Sequence, residues 1–186
     1  MSQKQSKIIL FANGEFPGAE KIINQIQEGD ILIAVDGGLS HMVSHGRTPS
    51  MIIGDLDSAD AYDVARFETQ GVPVQKFPCE KNETDLELAL EAALKMPPAT
   101  IWITAAFGKR LDQTLGNIFL LTMPDLENVD IRLIDGQQEV FLVRQSATIF
   151  GAPGQRVSLL PFGGPVVGIH TEAVSYTHLR AHETRR

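Results

Sequence analysis

Short aliphatic runs alternate with stretches whose apolar residues fall three and four positions apart, a rhythm that predicts strands separated by helices. The runs 7–12, 31–35, 51–54, 74–77, 101–104 and 133–135 are apolar or β-branched on successive positions. Strands buried on both faces need that composition, and it is the mark of a parallel sheet. Between them, helical spacing covers 20–27 (Ile22, Ile23, Ile26), 39–45, 60–69 (Tyr62, Ala65, Phe67), 86–96 and 114–123. Gly29 and Gly71 stand where helices should stop, and Pro97-Pro98 cannot continue one. The expected fold is α/β: a Rossmann-like parallel sheet with helices on both faces.

After Gly136 the rhythm changes. The runs 139–143, 147–150, 156–160 and 166–169 are short and β-type, separated by Gly and Pro clusters with no helical pattern among them. They predict a small antiparallel β domain over 137–174, following an α/β domain over 1–136. From Ser175 the chain turns polar and basic, reading Ser-Tyr-Thr-His-Leu-Arg-Ala-His-Glu-Thr-Arg-Arg. It resembles translated cloning sequence, and 175–186 is expected to be a non-native tail.

Composition narrows the function. The 186 residues suffice for one full core, and 43% hydrophobic with 21% charged residues is ordinary for a folded chain. A formal charge of −7 argues against nucleic acid or an anionic membrane as partner, since both call for a basic face. Cys79 is the single cysteine, which excludes an internal disulfide and a cysteine-built zinc site. Without an apolar leader or a membrane-length run, the expected location is cytoplasmic.

Candidate chemistry gathers after the strands. Ile52-Ile53-Gly54-Asp55-Leu56-Asp57-Ser58 is a strand running into two carboxylates one residue apart, whose side chains converge if the chain stays extended. At about 4 Å two such charges repel by roughly 4 kcal/mol at an effective dielectric near 20, so a cation or proton is called for. The alternative is that Asp57-Ser58 caps the next helix. Asn13 follows the first strand and Asp36-Gly37-Gly38 the second, where a helix start can favour an anion. Asp85 opens the 86–96 helix behind Thr84, either as a dipole partner or as a third metal carboxylate. Gly108-Lys109-Arg110 brings positive charge to the same sheet edge, and a guanidinium can grip phosphate oxygens with paired hydrogen bonds. His41 and His45 lack a third nitrogen or sulfur ligand and read as packing residues. Oxygen donors without clustered His or Cys select a hard ion such as magnesium. No Gly-x-x-x-x-Gly-Lys-Ser/Thr loop occurs.

With Asp36-Gly37-Gly38, Gly54-Asp55-Leu56-Asp57-Ser58, Thr84-Asp85 and Gly108-Lys109-Arg110-Leu111-Asp112-Gln113 in this order, the chain resembles the thiamine pyrophosphokinase family. The resemblance implies magnesium-dependent transfer of pyrophosphate from ATP to thiamine, giving thiamine diphosphate and AMP, in a homodimer. It implies that Asp55, Asp57 and Asp85 hold the metal, that Arg110 stabilises the transferring group, and that Asp112 orients or deprotonates the thiamine hydroxyl. Asn13, Asp36, Gly37, Gly38, Ser58, Thr84, Gly108, Lys109 and Gln113 would line the nucleotide and substrate. Gln113 stands where many members carry His, and Asn82 where the family often has a carboxylate. The family's second domain continues past the equivalent of Val174 and contributes thiamine contacts there, so an incomplete thiamine pocket is expected. Two rival readings are a phosphatase with Asp55 as nucleophile and a module that binds nucleotide or thiamine diphosphate without turnover.

Overall fold

The aliphatic runs become strands β1 (Lys7–Phe11), β2 (Ile31–Val35), β3 (Met51–Gly54), β4 (Val74–Lys76), β5 (Thr100–Thr104) and β6 (Asp130–Ile134), all parallel to their neighbours. A short β7 (Glu139–Val140) returns antiparallel on β6, and the order across the sheet is β4-β3-β2-β1-β5-β6-β7. The computed structural model describes residues 6–96, 100–108 and 110–171. The chain divides into a unit Met1–Arg144 and a unit Gln145–Arg186.

Helices α1 (Ala19–Ile23), α2 (Leu39–Ser44), α3 (Ala61–Thr69), α4 (Asp85–Leu94) and α5 (Leu111–Leu120) connect the strands. Side chains of a strand alternate between faces, so the sheet has two cores. On one face Ile9, Phe11, Ala34 and Ile52 pack with Ile23 of α1, Leu39 and Met42 of α2 and Phe67 of α3. On the other, Leu10, Ile33, Ile53 and Ile103 meet Leu86, Ala89, Leu90 and Ala93 of α4. Ile33 and Leu90 are fully buried. Each such side chain contributes about 1.5–3 kcal/mol relative to exposure, so the sheet is clamped from both sides.

Three boundaries differ from those the pattern predicts. Helix α1 ends at Ile23, and the chain continues in tighter turns, with Gln25 N–H donating to the Ile22 carbonyl at 2.9 Å and Ile26 N–H to that of Ile23 at 3.2 Å. Helix α5 starts at Leu111, which places Asp112 and Gln113 in its first turn. Strand β6 begins at Asp130, where Arg132 satisfies Asp130 at 2.8 Å and Glu139 of β7 at 2.5 Å. That pairing lets charged residues sit within a strand whose alternate positions, Ile131 and Leu133, are buried.

Of the antiparallel strands expected at the end of the chain, β7 is the one formed among the described residues. Its ladder stops at Val140, and the runs 147–150, 156–160 and 166–169 form no strand among the described residues. Phe150, Leu160 and Val167 are 92%, 82% and 80% exposed. These segments have strand-like side chains, but among the described residues no neighbour completes a hydrogen-bonded ladder with them, and a strand without partners has no stability of its own. Residues 172–186, including the expected tail, lie outside the described residues. Among those described, no helix is long and apolar enough to cross a membrane.

Candidate active site

Strand register brings the candidate residues to one edge. Phe11 aligns with Ala34 on one side and Thr104 on the other, Val35 with Ile53, and Gly54 with Lys76. The carboxyl ends of β1 to β5 therefore finish together. The strand order also reverses at β1, which lies between β2 and β5. In open α/β sheets the ligand crevice lies at that edge and at that switch point.

Among the described residues, three non-glycine residues with positive φ follow these strands: Asp36 (48°) after β2, Leu56 (65°) beyond β3 and Ala105 (52°) after β5. Left-handed backbone at such residues costs of order 1–3 kcal/mol each and persists where the surroundings impose it, typically at functional sites. Gly54 also has positive φ (151°), and a Cβ there would lie 3.0 Å from that of Asp36. The Gly37-Gly38 pair has a packing reason. A Cβ on Gly38 would sit 1.8 Å from the Phe11 carbonyl oxygen, and one on Gly37 would be 2.5 Å from the Asn13 amide atoms. The turn after β2 is thus pressed onto the end of β1, with the Asn13 side chain over Gly37. Next along, Gly14 N–H donates to the Ala105 carbonyl at 2.7 Å and Glu15 N–H to that of Phe107 at 2.6 Å. His41 Nε2 reaches the Gly14 carbonyl at 2.9 Å and its ring meets Phe16 edge-on, so this histidine is structural, as expected.

Asp36, Asp55 and Asp57 each place a carboxylate oxygen so that all three lie within 4.8 Å of one another. Ser58 holds this group together. Its N–H donates to Asp36 Oδ1 at 3.4 Å and its hydroxyl to Asp57 Oδ1 at 2.9 Å, while Asp57 N–H donates to Asp55 Oδ1 at 3.1 Å. The capping alternative for Asp57-Ser58 is excluded, because Asp60 caps α3 by accepting from Tyr62 and Asp63 N–H. Burial pushes the Asp36 carboxyl above its ordinary range, and the Asp57 charge adds to this against hydrogen bonds from Gly37 and Ser58. Asp55 is held below the usual range by the Asp57 N–H, with further help from the Cys79 thiol and the Lys81 charge. Three converging carboxylates, one of them buried and hard to ionise, fit a hard divalent ion held through oxygen.

Asp85, expected to share that ion, is not in this group of three. It is the first residue of α4, its carboxylate lies 2.5 Å from the Lys81 ammonium, and Thr84 caps the helix by accepting from Glu87 N–H at 3.2 Å. Asp36, expected on the nucleotide side, completes the group of three. Arg110 and Asp112 face each other across the start of α5. The guanidinium donates from Nη2 at 2.6 Å and Nε at 3.2 Å, and both side chains are 67% exposed. The hydrogen bond between them raises the Arg110 pKa and holds Asp112 low. Gly108 N–H donates to Thr114 Oγ1 at 3.3 Å, and Asn117 Nδ2 to the Ala106 carbonyl at 2.7 Å, so α5 fixes the loop leading to Arg110. Gln113 is exposed beside Asp112, and Lys109 lies outside the described residues. The sequence reading missed Lys81 and Asn117. Lys81 had a faint signal, the four-residue spacing to Asp85, whereas nothing marked Asn117.

Comparison with known proteins places the chain among relatives of known name. Residues 22–133 match the family model described as thiamin pyrophosphokinase, catalytic domain. Thiamine pyrophosphokinase of Bacillus subtilis is 37% identical over 113 residues, covering 61% of this chain and 53% of that protein. The crystal structure of thiamine pyrophosphokinase from Bacillus subtilis superposes with a TM-score of 0.61 at 33% identity, over 70% of this chain and 61% of that one. A thiamin pyrophosphokinase family protein from Enterococcus faecalis gives 0.58 at 29% identity, over 70% and 62%. The chain thus spans about half the length of the curated relative it matches. With residues 22–133, more than half of its length, matching the catalytic-domain model, this chain belongs to the thiamin pyrophosphokinase family.

Proposed function

We propose that the chain carries the catalytic domain of a magnesium-dependent thiamine pyrophosphokinase. The observation that carries this reading is the convergence of Asp36, Asp55 and Asp57 at the switch-point edge of the sheet. Asp55 and Asp57, joined by Asp36, would hold magnesium, with Asp85 assigned nearby by the family resemblance. When bound, the ion would neutralise charge on the phosphate oxygens of ATP. Arg110, released from Asp112, would grip oxygens of the transferring group through its paired N–H donors. Asp112, freed in the same motion, would accept a hydrogen bond from the thiamine hydroxyl and take up its proton. The hydroxyl oxygen bonds to the β-phosphorus as the bond from that phosphorus to the α–β bridging oxygen breaks, and AMP departs with that oxygen. Asn13, Gly37, Gly38, Ser58, Thr84, Gly108, Lys109 and Gln113 would shape the nucleotide and substrate pocket around these groups. Orientation of this kind can supply roughly 7–11 kcal/mol of the barrier reduction, so a strong general base is not required.

The segment 137–174 would belong to the thiamine-binding side. A cytoplasmic homodimer is the assembly proposed, supported by Leu111 and Leu115, which are 69% and 44% exposed four residues apart on α5. The test is incubation with ATP, magnesium and thiamine, measuring thiamine diphosphate and AMP. Thiamine-dependent AMP release is expected, with losses of about a hundredfold or more for Asp57→Asn and Arg110→Ala. Tight retention of magnesium-ATP without AMP would instead make the chain a binding module, and a trapped phospho-aspartate at Asp55 would make it a hydrolase.

A further inference from the structure

A cleft of about 180 Å3 lies beside the carboxylates, lined by Leu56, Ala61, Val64, Ala65, Glu68 and Lys76. Helical spacing puts Ala61, Val64, Ala65 and Glu68 on one face of α3, and Lys76 ends β4 opposite them. Leu56 stands between Asp55 and Asp57 in the chain, so one wall of the cleft begins a single residue from either carboxylate. The volume is below the roughly 300–1,000 Å3 of a site that encloses a whole drug-sized ligand, and suits one flat ring system. Four apolar side chains supply the walls. At the rim the Glu68 carboxylate offers an acceptor and the Lys76 ammonium a donor, the pair that an amino group beside a ring nitrogen would meet.

The direction of the proposed transfer favours one occupant. Attacking and leaving oxygens lie roughly in line through phosphorus, so the leaving AMP belongs on the side away from the thiamine hydroxyl. Asp112, assigned to that hydroxyl, follows β5, whereas Asp36, Asp55 and Asp57 follow β2 and β3. In the order β4-β3-β2-β1-β5, the side of the carboxylates away from β5 is β4, where the cleft lies. We infer that this cleft between α3 and β4 receives the adenine base of ATP, with Leu56, Val64 and Ala65 against the ring and Glu68 and Lys76 at its polar edge. This rests on the phosphotransfer reading above.

The test titrates the 186-residue chain by calorimetry in excess magnesium, without thiamine, using ATP and ribose 5-triphosphate, which lacks the base. ATP should bind about tenfold or more tightly than the baseless triphosphate. Ala65→Phe, which fills the cleft from an exposed helix position, should bring ATP down to that weaker affinity and leave ribose 5-triphosphate within about twofold. Glu68→Leu and Lys76→Met should each weaken ATP about threefold to tenfold without weakening ribose 5-triphosphate. Should Ala65→Phe lose both ligands by misfolding, these two variants decide, and unchanged ATP affinity in both overturns the inference. Equal binding of the two triphosphates by the unmodified chain, full ATP affinity in Ala65→Phe, or equal weakening of both ligands by Lys76→Met would also overturn it and leave the phosphotransfer reading standing. Failure of the unmodified chain to bind either triphosphate would overturn both.

Discussion

His41 commits a ring nitrogen to the Gly14 carbonyl while its body packs beside Phe16, with His45 the neighbouring titratable group. Burial is the main cause that lowers its pKa, opposed by the Gly14 hydrogen bond and reinforced by His45. The folded state therefore holds the proton less well than the unfolded chain. The sign follows directly: stability is full above the unfolded histidine pKa of about 6.5 and declines as pH falls from there toward the lowered folded value. Urea midpoints measured from pH 7.5 to 5 should fall, and His41→Gln, which keeps a donor for Gly14, should flatten most of that decline. Single residues are also where the sequence was least transparent. Asp55 and Asp57 could be read from their place after an aliphatic run. The left-handed backbones of Asp36, Leu56 and Ala105 could not, because no glycine marks them. Lys81 escaped notice because the long side chain of a loop lysine finds its carboxylate in three dimensions.

Helix starts decide how the loops at the site are held. Asp60 accepts from both Tyr62 N–H at 2.9 Å and Asp63 N–H at 3.1 Å, fixing the first turn of α3 directly after the Asp55–Ser58 loop. Asp60→Ala should lower stability by about 1 kcal/mol in urea denaturation, within the ~0.5–2 kcal/mol range for losing such a cap, while Asp60→Gly should cost only a few tenths of a kcal/mol. A larger loss for Asp60→Ala would mean that the loop carrying Asp55 and Asp57 unravels with the helix. Elements with strong periodicity were legible in advance: β2, β3 and α4 lie within a residue or two of their expected bounds. Polar edges were less so. Strand β6 hides its first residues behind the Asp130–Arg132–Glu139 ion pairs, and α5 begins early enough to carry Asp112 and Gln113 in its first turn.

At the scale of the whole molecule, strand–helix alternation was enough to anticipate the parallel sheet, because burial on both faces leaves a continuous aliphatic signature. The final third resisted the same reading. Ladder formation there depends on partners that a local pattern cannot name, and the β-type runs beyond Val140 remain unpaired among the described residues. The central place of β1 has a further consequence for synthesis. Its two flanks are filled by segments far apart in the chain, β2 ending at Val35 and β5 ending at Thr104. On a ribosome, the half-built sheet would present the bare side of β1 to solvent until β5 emerges, an open template for strands of other nascent chains. A polypeptide stopped at Met96 should therefore scatter light and recruit chaperones, whereas one continued through β6 should stay dispersed.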